Sequence, residues 1–131
     1  MMRIYRVRFC KLLLFVVVGL IACGKEAPLQ FCEGVDKDGK PVHCGKEFTT
    51  GDMTLYITAN QPFGSNTATV IVYEKKKYSQ PEYTRFDHTI NPDINTAAIP
   101  LSIYAEGTYI VKVIVKDKEI ASGEITVIDT Y

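Results

Sequence analysis

Four cysteines, two histidines and one run of lysines are the residues of this chain best equipped for chemistry. A cysteine can serve as nucleophile, metal ligand or half of a disulfide. The four stand at positions 10, 23, 32 and 44, and the histidines at 43 and 88. A zinc site needs about four ligands, and beside Cys32 and Cys44 only His43 is at hand. Asp87-His88 sets a carboxylate next to an imidazole, but adjacent residues on a strand point to opposite faces. Gly64-Ser65-Asn66 lacks the glycine frame of a nucleophile elbow. Asp36-x-Asp38-Gly39 has the opening of a calcium loop, yet Lys40 stands where a third oxygen ligand belongs and no helical pattern flanks the segment. Asp and Gly there are what a solvated hairpin turn demands. The spacing therefore argues against an enzyme, a metal centre or a bound cofactor.

The dense basic stretch is Lys75-Lys76-Lys77-Tyr78, flanked by Tyr73 and Tyr83. Read functionally, it is a cationic, aromatic contact surface for a glycan, a phospholipid head group or an acidic protein. Read structurally, it is a solvated loop whose lysines keep strand edges from pairing with other chains. The charge balance bears on the partner. Arg3, Arg6, Arg8 and Lys11 precede any acid, leaving 11 basic against 15 acidic residues beyond position 22, a net of about −4. A mildly acidic domain is a poor match for nucleic acid, whose binding depends on cations meeting phosphates.

What positions these groups starts at the front end. After the basic head comes an uncharged run, Leu12 to Ala22. As a helix it would span about 16 Å, short of the roughly 20 residues that a bilayer core of about 30 Å requires. Basic head, short apolar run and small-residue exit form the pattern of a secretory signal. The exit itself, Leu20-Ile21-Ala22-Cys23-Gly24, resembles the lipobox of bacterial lipoproteins. The resemblance implies cleavage before Cys23, a diacylglyceryl group on its thiol, and a mature chain held to a membrane by lipid. Two or three acyl chains hold stably where one does not. With Gly24 rather than Asp after the cysteine, the resemblance favours the outer over the inner membrane. The expected organisation is a signal peptide at 1–22, a lipidated tether at 23–30 and a folded domain at 31–131.

In such a chain Cys10 is discarded and Cys23 carries lipid, which leaves Cys32 and Cys44 as an even pair. Val35 to Pro41 between them is rich in turn formers. A hairpin there sets the two cysteines face to face, and an oxidising compartment joins them in a disulfide.

Beyond the tether the chain breaks into short β-like runs, without the sustained i, i+3, i+4 spacing of a helix. Met53, Leu55 and Ile57 alternate with polar residues, and Thr69 to Tyr73 is β-branched and aromatic throughout, as in a strand covered on both faces. Pro100 argues for an edge strand or a bulge. Tyr109, Val111, Val113 and Val115 alternate with Ile110, Lys112, Ile114 and Lys116. Asp117-Lys118 then makes a turn, and the chain returns with Ile125 and Val127 on one face, a terminal hairpin. The expectation is an all-β, antiparallel β-sandwich of about seven strands.

Ala105-Glu106-Gly107-Thr108-Tyr109 resembles the tyrosine corner before the penultimate strand of immunoglobulin-like folds. Gly107 to Val127 is similar to the closing hairpin of Ig-like domains in bacterial envelope proteins. These likenesses imply an Ig-like sandwich and say little about function. The chain thus reads as a membrane-anchored, non-catalytic interaction module of the cell envelope with a protein or glycan partner. The alternatives are a structural accessory of an envelope complex and an inhibitor-type lipoprotein.

Overall fold

Period-two alternation of apolar and polar residues builds almost every element of the molecule. A computed structural model describes residues 28–129. The expected signal peptide at 1–22, the lipid site at Cys23 and most of the 23–30 tether lie outside those residues. The elements are β1 (Leu29–Val35), β2 (Pro41–Gly45), β3 (Glu47–Thr49), β4 (Gly51–Thr58), β5 (Thr67–Glu74), β6 (Glu82–Thr89), β7 (Thr96–Ile103), β8 (Gly107–Val115) and β9 (Lys118–Ile128).

They form two sheets, a four-stranded one in the order β2-β1-β4-β7 and a five-stranded one in the order β3-β9-β8-β5-β6. Leu29, Phe31, Met53, Leu55, Ile57, Ile99, Leu101 and Ile103 from the first sheet meet Val70, Val72, Tyr109, Val111, Val113, Ile125 and Val127 from the second in one buried core. The domain is all-β and sandwich-like. On β8 the inward set is the expected one: Tyr109, Val111, Val113 and Val115 are all buried. On β5, Val70 and Val72 face the core. Ile71 is buried on the opposite face, flanked in register by Arg85 and Lys112.

Three expectations are corrected. The strands described number nine rather than about seven, because the Cys32–Cys44 hairpin is followed by the very short β3. The sandwich is not wholly antiparallel, since β3 runs parallel to β9. Here the chain leaves the first sheet after β2 and crosses to the second through Lys46 alone. The folded unit also begins earlier than residue 31: Leu29 already pairs with Ile57 and packs into the core.

The closing turn is shifted as well. Val115 pairs with Lys118, so the two-residue loop is Lys116-Asp117, with φ of 54° and 64°. Positive φ at both positions is what a type I′ hairpin turn requires. A register shift opposite Val113/Ile114 absorbs Ile120, which restores Ala121, Gly123, Ile125 and Val127 to the core face.

Two glycines matter locally. Gly107 has φ of 156° where the chain swings from β7 into β8, and its bare Cα lies against the Tyr109 ring. A Cβ on Gly123 would come within 3.0 Å of the Phe31 ring, so the missing side chain lets β1 lie close over β9. Pro100 sits on β7, an edge strand as its type requires.

Candidate interaction surface

The connections sort to two ends of the sandwich. One end holds the start of β1, the β4–β5 and β6–β7 loops and the β8–β9 turn. The other holds the β1–β2 turn, the β5–β6 loop, the β7–β8 corner and the end of β9. Of the large apolar side chains left exposed among the described residues, Val35, Tyr78, Tyr83, Tyr104 and Ile128 belong to this second, far end, and Ile94 to the near end. Exposed apolar residues scattered singly need no explanation; here five gather toward one end of the domain.

At the far end Tyr104 follows directly on β7, 70% exposed. Its hydroxyl donates to Asp52 Oδ1 at 3.2 Å, an oxygen that also accepts the Ser102 hydroxyl. Its backbone N–H reaches the Tyr83 hydroxyl at 3.4 Å. Tyr83 in turn meets the buried Tyr109 ring edge-on, with centroids 5.1 Å apart. Tyr109 closes the corner by donating to the Ala105 carbonyl at 2.6 Å. A row of aromatic rings therefore runs from core to surface, joined by a ring-edge contact between Tyr109 and Tyr83 and by a hydrogen bond from the Tyr104 backbone to Tyr83. Burial first, and then the Glu74 carboxylate and Tyr83, raise the Tyr109 phenol above its ordinary range, so it stays a neutral donor.

The lysine-rich segment is the β5–β6 loop at this same end, and the structure pins it. Glu74 N–H donates to Pro81 O, Lys75 N–H to Thr108 O and Lys76 N–H to Ser79 O. Its charges are partly answered by neighbours. Lys75 meets Glu124 at 3.0 Å, Lys76 lies 3.9 Å from Glu74, and Lys77 sits over the Tyr78 ring at 5.3 Å. Tyr78 is 89% exposed. The three lysines thus do not act as one block of free positive charge, and the aromatic side chains are the more distinctive feature.

The other chemistry-bearing residues are placed apart. Cys32 and Cys44 face each other in register and are joined in a disulfide between β1 and β2. Asp36 Oδ1 accepts the backbone N–H groups of Asp38 and Lys40, so that carboxylate is consumed by its own turn. His43 Nδ1 lies 3.0 Å from Glu33 on the exposed side of that hairpin. Asp87 accepts the Thr69 hydroxyl at 2.7 Å rather than serving His88. Among the described residues no group of three or more His, Cys, Asp or Glu side chains could hold a metal ion, and no helix is long and apolar enough to cross a membrane. A cavity of about 490 Å³ opens at the near end between Pro28, Phe63, Val115, Lys116 and Ile120.

Tyr104, Asp52 and Ser102 were not singled out from sequence. A signal existed: Ile99, Leu101 and Ile103 share the inward parity, so Tyr104 breaks the alternation just before a corner. The partnership with Asp52 spans fifty-two positions and leaves no local trace. Compared with known proteins, the chain matches no family model and no curated protein.

Proposed function

We propose that this chain is a lipid-anchored, Ig-like interaction module of a bacterial cell envelope, which presents its tyrosine-rich far end to a protein or glycan partner without catalysing a reaction. The observation that carries the anchor is the sequence Leu20-Ile21-Ala22-Cys23-Gly24 behind a basic, then apolar, head. The Ig-like reading draws support from the sheet order. β9-β8-β5-β6 follows the G-F-C-C′ order of variable-type immunoglobulin domains, and Tyr109 stands where the tyrosine corner of strand F belongs. The interaction role draws on Tyr78, Tyr83 and Tyr104, which combine apolar area with polar tips and have few side-chain torsions to freeze on binding. An outer-membrane address and an oxidising compartment agree with Gly24 and with the Cys32–Cys44 pair.

The test has two arms. Fatty-acid labelling of bacteria expressing the wild type and Cys23→Ala should show label on the first and none on the second; equal label on both would remove the anchor. Pull-down from envelope extracts with the soluble domain beginning at Lys25, beside a Tyr78→Ala/Tyr104→Ala variant, should retain a partner only with the unaltered far end. Retention of the same partner by both would remove the proposed surface.

A further inference from the structure

The near end is built differently from the far end. Its β4–β5 loop, residues 59–66, carries no charged residue, the β6–β7 loop, residues 90–95, carries only Asp93, and the β8–β9 turn beside them brings Lys116 and Asp117, with Lys118 opening β9. The β1–β2 turn at the far end carries Asp36, Lys37, Asp38 and Lys40, and the β5–β6 loop adds Lys75, Lys76 and Lys77. The two near-end loops are also zipped together. Ala59 N–H donates to Asn95 O, Phe63 N–H to Ile94 O, Gly64 N–H to Pro92 O and Ile90 N–H to Asn66 O, while Asn95 Nδ2 donates back to Ala59 O. Phe63 and Ile90 are buried beneath, and Ile94 projects outward, 45% exposed. The result is a pinned plate of two loops in which Asp93 is the sole charge, with one apolar side chain on it and the Lys116 side chain against its margin at Gly64.

We infer that this plate is the surface the domain turns to the bilayer, seated on the lipid head groups with Ile94 nearest the acyl boundary. The inference rests on the lipid anchor proposed at Cys23. From Cys23 to Pro28 there are five residue steps, which span at most about 18 Å when fully extended. β8, at nine residues, is about 30 Å long. An anchor attached at the near end cannot reach past the length of the sandwich to bring the far end down in its place. Charge decides the rest. Seating a surface on the head groups strips water from it, and stripping charged groups costs more than stripping amides and hydroxyls that keep their hydrogen bonds. The outer face of the five-stranded sheet carries the Lys75–Glu124, Lys112–Glu119 and Arg85–Glu82 pairs, which disfavours lying on that side. With the plate down, Tyr78, Tyr83 and Tyr104 point away from the membrane.

The chain contains no tryptophan, so each introduced one is a single reporter. Full-length protein carrying Ile94→Trp, Tyr104→Trp or Tyr56→Trp would be labelled with a fatty acid in the host. It would then be extracted and reconstituted in vesicles of phosphatidylethanolamine and phosphatidylglycerol doped with head-group nitroxide lipid. Tyr56 reports the outer face of the four-stranded sheet, and Asn60→Trp repeats the near-end reading from the neighbouring loop. Quenching should be several-fold greater for Ile94→Trp and Asn60→Trp than for Tyr104→Trp or Tyr56→Trp. Label present with equal quenching at Ile94 and Tyr104, or with Tyr56 quenched most, overturns the orientation and leaves the anchor standing. Absence of label removes the anchor, and the orientation with it.

Discussion

Tyr109 carries a burden that can be divided by mutation. Its side chain is fully buried and its hydroxyl donates to the Ala105 carbonyl at 2.6 Å. Tyr109→Phe keeps the ring and deletes the donor. A net hydrogen bond is worth about 0.5–1.5 kcal/mol, and an acceptor left dry costs up to about 3. Ala105 is exposed, so water replaces the lost donor, and the expected cost is about 1 kcal/mol. Tyr109→Ala also removes the edge contact with Tyr83 and opens a cavity between the sheets, for about 3–5 kcal/mol. Tyr78→Phe, at a position 89% exposed, should stay within about 0.5 kcal/mol. Urea unfolding of the soluble domain beginning at Lys25 gives all three values, provided the slopes agree. In a domain of this size about 1 kcal/mol corresponds to roughly 4–8 °C in Tm. Losses for Tyr109→Phe no larger than those for Tyr78→Phe would show that the corner does not stabilise the fold.

Three further outcomes follow from particular residues. Replacing Cys32 and Cys44 together by Ser should cost about 3 kcal/mol, the entropy of closing a loop of this length; free, alkylatable thiols in native exported protein would contradict the pairing. Asp117→Gly should stabilise by about 0.5–1 kcal/mol, since φ of 64° suits glycine at the second position of a type I′ turn, and an unchanged or lower urea midpoint would contradict that turn. Because the folded Tyr109 phenol is raised above its unfolded value, its contribution is complete below about pH 10 and lost as the pH climbs toward the folded value. Wild type should therefore lose stability between about pH 9 and 11 more steeply than Tyr109→Phe, and parallel curves would refute the assignment.

The strands that form the core were legible because each buries one face against the other sheet, and burial imposes alternation on the residues. Met53-Leu55-Ile57 and Tyr109-Val111-Val113-Val115 show this. Leu29 and Phe31 carried the same signal on either side of Gln30, and the tether boundary at residue 30 cut through it. β3 left no such trace, since three residues cannot display a period and its parallel pairing with β9 depends on where the chain crosses between sheets. The final turn escaped because Lys116-Asp117 takes positive φ without glycine or asparagine, and strain of that kind has no compositional mark. The lysine-rich loop was visible as charge, whereas its neutralisation by Glu124 and Glu74 came only from register. Likewise Tyr104 and Asp52 meet because β4 and β7 pair side by side, which no local reading reaches.

The anchor is the claim on which location, orientation and outward display all depend, and the mass of the mature protein tests it most directly. Protein extracted from the membranes of an expressing bacterium should have the mass of a chain beginning at Cys23 plus a diacylglyceryl group, with or without a further acyl chain on the amine. The added mass should map to the N-terminal peptide. A chain beginning elsewhere, or one beginning at Cys23 with a free thiol and no lipid, would contradict the account.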